Sequence, residues 1–279
     1  HERGEGKGLA TGTLGLWGST VIGLASTAPV YSLVATLGFV VLAVGAQAPI
    51  AFIIAFVPML FIAFAYRELN NEMPDCGTTF TWGTKAFGPW VGWMGGWGVA
   101  VAGMVVLANL AQIASVYFWD LFGLELENDD WRIVLVAVAF IAAMTWVSWR
   151  GVEIGERIQN VLLAVQYLVL AIFVVVSLTG YFTGTAPDPT PFSWEWLNPF
   201  AFTDFHGFTE AVLLALFIYW GWDTCLALNE ETKDPKRTPG RAALLTTVIL
   251  LFTYVAVTIS AMMYAGLGDT GTGLSNEAN

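Results

Sequence analysis

Two hydrophobic segments of this chain are interrupted near their middles, and these interruptions limit its possible folds more than any other feature. The first segment, about 14–44, contains STAP at 26–29, and the second, about 208–229, contains YWGWDT at 219–224. Inside a bilayer every backbone N–H and C=O group needs a hydrogen-bond partner, so a broken helix is tolerated only where it lines a cavity or is buried in protein. Two such segments in one chain predict a binding site for a small solute.

The composition indicates that the chain lies in a membrane. Of its 279 residues, 56% are hydrophobic and 12% are charged, which is about half the charged fraction of soluble domains. Apolar runs of about 20 residues, enough to span the hydrocarbon core, recur along the sequence. We predict an all-α protein with a transmembrane bundle at 13–266, a tail at 1–12 and an extracellular loop at 267–279. The seven spanning segments are predicted at about 14–44, 47–66, 88–121, 131–149, 155–181, 208–229 and 241–266.

The positively charged residues predict the orientation. Of eleven Lys and Arg residues, Arg132 alone falls in a loop on the side opposite to the other ten (11 − 1). Because Lys and Arg in short loops face the cytoplasm, we predict a multi-pass protein of the cell membrane with a cytoplasmic N-terminus. The net charge of −11 reflects acidic outer loops and gives no information about partners. We expect no nucleic-acid partner. The predicted partners are the lipid bilayer and a small-molecule substrate.

Three stretches of the sequence form a recognisable pattern. The first, at 68–93, contains EL, PDCGTTFTW, G and GW in that order, and another is GERIQN at 155–160. The most specific stretch is GWD at 221–223 followed by NEETKDPKRTPGR at 229–241. It resembles the signature of amino acid permeases, roughly G-F-E, then E-E-x-K-N-P-x-R-x-I-P-R-A. On these motifs the chain is identified as a member of the amino acid–polyamine–organocation (APC) superfamily of permeases.

The resemblance implies a leucine-transporter-type fold with a five-plus-five inverted repeat. Helices one to five would form the first repeat, and helices six and seven would begin the second. Since the chain starts at His1 rather than Met, we expect a fragment. Seven spans, with one intact repeat and the beginning of another, resemble the N-terminal portion of a longer transporter, truncated after about seven helices. Helices eight and ten of the same protein would then complete the substrate and ion sites.

The resemblance also implies a secondary active transporter for amino acids or related amines. Transport would proceed by alternating access around broken helices one and six. A membrane sensor or receptor that uses the same pocket without transport is the alternative. An enzyme is not expected, because aspartyl chemistry needs two facing carboxylates and the sequence has no H-E-x-x-H or G-x-S-x-G motif.

The physics of helix ends suggests how the two breaks hold a substrate. Free N–H groups and the positive dipole end of the helix after the first break suit a carboxylate, and carbonyls freed in the second break suit an ammonium. The predicted substrate-binding residues are Gly23, Ala25, Ser26, Thr27, Ala28, Met104, Ile218, Tyr219, Trp220 and Gly221. Tyr219 and Trp220 cover the pocket as gate aromatics or pack in the core.

Alternatives remain at the first break. Ser and Thr hydroxyls in membrane helices often bond a backbone carbonyl of the preceding turn, and Pro29 by itself produces a kink. The family usually reads G-S/T-G here, whereas this chain has GLASTAP at 23–29. The N–H groups that would bind the carboxylate are therefore assigned only to within about two residues.

Two residues are candidates for coupling or gating. Asp223 is the one carboxylate well inside an apolar span, where an ionised form costs about 2.5–3.5 kcal/mol. It is either a protonatable coupling group or a structural acid bonded to the broken helix. Many relatives have a Lys where Gln166 stands, and its ammonium replaces a sodium ion; a Gln cannot supply that charge. We therefore expect H⁺ or Na⁺ as the coupling ion, with no other cofactor and no metal site.

Overall fold

A computed structural model describes residues 12–124, 126, 130–202 and 204–276, apart from the side chains of 152 and 153. All but one residue of the predicted N-terminal tail, 1–12, lies outside the described residues, as does the end of the predicted loop 267–279. Within the described ranges the secondary structure is helical, with one isolated β-bridge between Leu14 and Thr232. The predicted all-α architecture is therefore confirmed.

Ten α-helices follow one another along the described chain. They are α1 (Leu16–Thr27), α2 (Pro29–Val44), α3 (Ala48–Glu72), α4 (Thr79–Phe87), α5 (Pro89–Asp120), α6 (Trp131–Arg150), α7 (Val152–Thr183), α8 (Phe205–Tyr219), α9 (Thr224–Ala227) and α10 (Thr238–Ala265). Short 3₁₀ turns occupy Gly45–Gln47, Trp194–Leu197 and Asn229–Glu231.

Six helical stretches of the described chain are long and apolar enough to cross a membrane. They are Leu16–Glu72, Pro89–Asp120, Trp131–Arg150, Ile154–Thr183, Phe205–Ala227 and Thr238–Ala265. The first has 57 residues, or about 85 Å of helix, which is nearly three times the thickness of the hydrocarbon core. It contains α1, α2 and α3, so the predicted segments 14–44 and 47–66 form one run, interrupted at Ala28 and at the 3₁₀ turn.

Several helix ends differ by a few residues from the sequence-based bounds, and hydrogen bonds explain two of these differences. Helix α3 continues six residues beyond the predicted position 66, because buried Asn70 is anchored through its side-chain nitrogen to the Pro235 (2.8 Å) and Lys236 (3.0 Å) carbonyls. Helix α8 begins at Phe205 rather than 208. The Asp204 carboxylate accepts hydrogen bonds from the first-turn N–H groups, which satisfies donors that a helix start leaves unpaired.

The chain divides into two compact units. In the first, up to Cys76 and from Gln159 onward, α10 packs on α1 and α3, and α8 packs on α2 and α3. Its core contains fully buried Phe52, Tyr219 and Tyr254.

The second unit, Gly77–Ile158, contains α4, α5 and α6. A Cβ on Gly92 would stand 2.7 Å from the Phe80 carbonyl oxygen, so only glycine permits this approach of α5 to α4. The Ser115 hydroxyl donates to the Ile133 carbonyl at 2.7 Å and joins α5 to α6.

Candidate functional site

The first helix break is centred on Ala28. Pro29 has no N–H group and disfavours helical geometry in the residue before it. Ala28 adopts the left-handed region with φ 45° and ψ 64°, a conformation that costs a non-glycine residue roughly 1–2 kcal/mol. Its N–H donates to the Ala25 carbonyl at 3.2 Å and closes the last turn of α1. The chain therefore holds a strained residue where the predicted interruption lies.

The two hydroxyl residues before the break have different surroundings. Thr27 is 4% exposed, and its hydroxyl donates to the Leu24 carbonyl at 2.8 Å. This is a bond to a carbonyl of the preceding turn, the alternative to a substrate-binding role that the sequence left open. Ser32 donates to the Thr27 carbonyl at 2.7 Å and so satisfies an acceptor that the break frees. Ser26 is exposed, and its Oγ lies 2.8 Å from Oγ1 of Thr224. Ser26 is thus the hydroxyl that faces the second break.

The second break occupies the four residues between α8 and α9. Trp220 is extended, and Gly221 has φ +116°, which favours glycine. The Ile218 carbonyl accepts a hydrogen bond from the Tyr254 hydroxyl at 2.7 Å. The break therefore does not leave this carbonyl free, contrary to the sequence-based prediction. Among the described residues, no hydrogen bond reaches the carbonyls of Tyr219 or Trp220.

The two breaks lie side by side. A Cβ on Gly221 would come within 2.9 Å of the Ser26 carbonyl oxygen and 3.2 Å of the Thr27 nitrogen. A Cβ on Gly23 would come within 3.3 Å of the Trp222 carbonyl oxygen and 2.8 Å of Thr246 Oγ1. Glycine at both positions lets backbone approach backbone, and the predicted residues Gly23, Ser26, Thr27 and Gly221 are thereby brought together.

The two aromatic residues at the end of α8 have opposite environments. Tyr219 is fully buried; its hydroxyl donates to the Phe52 carbonyl at 3.3 Å, and its ring lies 5.0 Å from that of Tyr254. The Tyr219 side chain therefore packs in the core, which was one of the two readings of the sequence. Trp220 is 36% exposed beside the break, so of these two aromatic side chains it is the one that borders open space.

The three other predicted residues lie in different segments: Asp223 in the second break, Gln166 on α7 and Met104 on α5. Asp223 is half-buried at the start of α9, where its carboxylate does not cap the helix and, among the described residues, makes no ion pair. Gln166, on α7, has a buried side-chain oxygen without a hydrogen-bond partner, and five other buried side-chain oxygens of the described residues also have none. Met104 lies on α5 in the second unit and is 56% exposed. The roles of these residues stay predictions.

Sequence reasoning missed several partners of the break. Thr224 directly follows Asp223, and its position beside the interruption was a usable signal. Thr246 and Tyr254 lie on α10, far along the chain from the residues that they contact. Because other hydroxyl residues recur along the same helix, no local pattern distinguishes the two that meet the breaks. These others are Thr247, Thr253, Thr258 and Ser260.

A group of possible metal ligands was also missed. Asp75, Cys76 and Glu230 each place one ligand atom within 4.8 Å of the others. The Cys76 backbone N–H donates to Oε1 of Glu230 at 3.1 Å. This bond joins the first motif stretch, 68–93, to the signature stretch, 229–241.

Comparison with known proteins identifies the family. The family described as amino acid permease matches residues 14–278. The low-affinity putrescine importer PlaP of Escherichia coli (strain K12) is 28% identical over 255 residues, which are 90% of this chain and 54% of that protein. The branched-chain amino acid permease BcaP of Bacillus subtilis (strain 168) is 24% identical over 228 residues, 77% of this chain and 46% of the relative.

A third relative has a different named substrate. The methylthioribose transporter of Bacillus subtilis (strain 168) is 25% identical over 233 residues, 78% of this chain and 48% of the relative. The chain spans about half the length of the curated relatives that it matches. With six membrane-length apolar stretches and a family match over nearly all of its residues, the chain is a multi-pass membrane protein that belongs to the amino acid permease family.

Proposed function

We propose that this chain is the N-terminal portion of a secondary active transporter that carries amino acids or related amines across the cell membrane. The observation that supports the proposal most directly is the contact between the two helix breaks, where Gly221 lies against the Ser26 carbonyl. Unsatisfied backbone groups are tolerated within a membrane only where they are buried in protein or line a cavity. Two breaks in contact therefore favour a shared polar site within an otherwise apolar bundle.

The two ends of a zwitterion suit the two breaks. Helix α2 begins at the first break, so the positive end of its dipole favours a carboxylate there. Helix α8 ends at the second break, where the carbonyls of Tyr219 and Trp220 accept no hydrogen bond from the described residues. A substrate ammonium supplies the missing donors. Since putrescine and branched-chain amino acids both carry an ammonium, this half of the site suits substrates of the kind named for two relatives.

The coupling ion in this proposal is a proton carried by Asp223, with sodium as the alternative. Asp223 is the last residue of the second break and makes no ion pair among the described residues. An unpaired carboxylate inside a membrane span is a functional candidate because its charged form is costly there. The unpartnered side-chain oxygen of Gln166 can accept a hydrogen bond or coordinate a cation, which keeps sodium open.

The wider architecture is part of the same proposal. We infer a five-plus-five inverted repeat in which α8, α9 and α10 begin the second half. The remaining helices, supplied by the same polypeptide beyond this chain, complete the pocket. The distribution of Lys and Arg supports a cytoplasmic N-terminus, because Arg132 and Arg150 lie at opposite ends of α6 and Arg132 is on the side with the fewest basic residues.

Uptake by the full-length polypeptide tests the function. Proteoliposomes that contain the purified protein should accumulate radiolabelled leucine or putrescine in a saturable manner, and empty liposomes should not. Binding of the same compounds should be measured in parallel by isothermal titration calorimetry. Saturable binding without uptake would favour the sensor alternative, and the absence of both binding and uptake for a panel of amino acids and amines would contradict the proposal.

A further inference from the structure

A small basic pocket lies away from the helix breaks, at the end of α3 and the start of α10. Its volume is about 200 Å³, and Arg67, Asn71, Arg237 and Arg241 line it. All four residues belong to the first unit of the chain. Three guanidinium groups around one cavity form an unusual concentration of positive charge in a chain with only eleven Lys and Arg residues.

The packing of α3 on α10 builds this pocket. Gly240, in the first turn of α10, lies against the Arg67 side chain, and a Cβ at 240 would come within 3.1 Å of the Arg67 Cα. Glycine therefore permits the close approach of the two helices. That approach brings Arg67 next to arginines that are about 170 positions away in the sequence.

The pocket carries an excess of positive charge. Arg67 pairs with Glu68 through its Nε atom, 2.9 Å from Oε1. Arg237 and Arg241 are exposed and form no ion pair among the described residues. The Asp234 carboxylate lies in the same turn, but its Oδ1 accepts from the backbone N–H of Arg237 at 3.3 Å. Three guanidinium charges against the two carboxylates of Glu68 and Asp234 leave a net excess of one positive charge (3 − 2) at the pocket.

The ligand chemistry follows from the donors. Arginine forks bind phosphate oxygens through paired hydrogen bonds and are the preferred side chains for that group. The N-terminus of α10, a helix of 28 residues, adds the positive end of its dipole on the same side. The combination suits a phosphate-bearing anion.

The position of the pocket identifies the source of that anion. The pocket lies in the last two turns of one membrane-length helical stretch, Leu16–Glu72, and at the start of another, Thr238–Ala265. The ends of membrane-spanning helices are where lipid headgroups are expected. From Arg67, exposed apolar side chains continue along α3 at Phe64, whose ring lies 5.2 Å below the guanidinium. From Arg241, they continue along the same face of α10 at Leu245 and Phe252, which are 38% and 68% exposed. A phosphate at the arginines and acyl chains along these stripes match the two parts of a phospholipid.

We propose that Arg67, Arg237 and Arg241 form a binding site for the phosphate of an anionic phospholipid, separate from the substrate site. Basic pockets between membrane helices are suited to anionic headgroups. The apolar stripes account for the choice of a lipid over free phosphate, since free phosphate gains nothing from them.

The test measures lipid binding to the purified, delipidated full-length protein in detergent. Short-chain dihexanoyl phosphatidylglycerol is titrated by isothermal calorimetry, in parallel with dihexanoyl phosphatidylcholine and inorganic phosphate. Phosphatidylglycerol should bind saturably and at least tenfold more tightly than either of the others. Removing each arginine should weaken binding about fivefold, so the double variant Arg237→Gln/Arg241→Gln should lose about 25-fold.

Two further variants separate a binding role from a folding role. Lys236→Gln removes one positive charge in the same turn without touching the pocket lining, and its affinity should stay within about twofold of the parent. Arg237→Lys/Arg241→Lys keeps the charge but loses the fork geometry, so it should fall between the parent and the glutamine variant. Equal affinity for inorganic phosphate would overturn the lipid assignment. Unchanged phosphatidylglycerol binding in the glutamine variant, with a parent-like melting temperature, would overturn the site.

Discussion

Gly221 and Ser26 lie in backbone contact, and a Cβ on Gly221 would stand 2.9 Å from the Ser26 carbonyl oxygen. This contact joins two interrupted helices that are almost 200 positions apart in the chain. The contact requires glycine at position 221 for two reasons. A Cβ there would meet the Ser26 backbone, and the backbone has φ +116°, which residues with side chains rarely adopt. The candidate site therefore rests on one position at which no other residue fits.

Substitution of Gly221 should disrupt the site. In Gly221→Ala the new methyl group meets the Ser26 backbone, and the positive φ adds about 1–3 kcal/mol of strain. We expect substrate uptake by the full-length protein to fall by more than tenfold. The matched control is Gly184→Ala, where φ is +72° but nothing lies within 4 Å of the added Cβ. If both variants lose uptake equally, backbone strain in general rather than the contact between the breaks is responsible.

The hydroxyl of Tyr254 should matter more for stability than that of Tyr219. Tyr254→Phe leaves the buried Ile218 carbonyl, at a helix end, without its 2.7 Å donor, and an unpaired buried acceptor costs about 1–3 kcal/mol. Tyr219→Phe removes a longer bond, 3.3 Å, to the carbonyl of Phe52 within α3, so its effect should be smaller. Thermal unfolding in detergent of the two variants and the parent measures the difference. A larger loss in Tyr219→Phe would contradict the assignment of Tyr254 to the break.

Asp223 is the residue to change if protons drive transport. Asp223→Asn removes the titratable group and roughly preserves shape and hydrogen bonding. We expect it to abolish accumulation driven by a pH gradient while exchange of labelled for unlabelled substrate continues. Uptake should be measured with and without sodium at fixed pH. Unchanged proton-driven uptake would reject the role, and loss of both exchange and folding would indicate a structural acid.

The start of α8 should show a pH dependence set by Asp204. Hydrogen bonds from the backbone N–H groups of Gly207 and His206 hold the pKa of this carboxyl below its usual value. A folded-state pKa below the unfolded one contributes stability above the unfolded pKa, about 3.9, and loses it as the pH falls through the folded pKa.

Variants at position 204 check this dependence. Asp204→Asn keeps an acceptor that caps helices well but cannot titrate, so its melting temperature should decline less below pH 4 than that of the parent. Asp204→Ala should be less stable than both at neutral pH. Melting curves between pH 3 and pH 7 distinguish the three proteins, and identical pH profiles for the parent and Asp204→Asn would refute the capping role.

The predicted orientation can be tested by labelling. Single cysteines in place of Lys85, Arg150 or Lys236 should be protected in intact cells from a membrane-impermeant maleimide and should react after permeabilisation. A cysteine in place of Arg132 should react from outside. Labelling of Lys236→Cys in intact cells would show that position 236 faces outward and would contradict the predicted orientation.

Local chemistry determined where the helices break and which family the chain belongs to. Pro29 lacks an N–H group and Gly221 accepts a positive φ, so each interruption is encoded within a few residues and is visible without a structure. The signature stretch at 229–241 is likewise a local pattern. The all-helical, membrane-spanning class follows from long apolar runs, because backbone groups in a bilayer must be satisfied within the same segment.

Only the tertiary structure decided which polar groups meet across these elements. The sequence predicts that the break frees the Ile218 carbonyl. In the structure this carbonyl accepts a hydrogen bond from the hydroxyl of Tyr254, 36 positions later. Thr27 and Ser26 are adjacent and similar, yet one bonds its own helix and the other faces Thr224. Arg67 joins Arg237 and Arg241 because Gly240 lets α3 approach α10. Such pairings depend on how distant helices pack. Several hydroxyl residues recur along α10, and the local sequence does not specify which of these donors will reach a given distant acceptor.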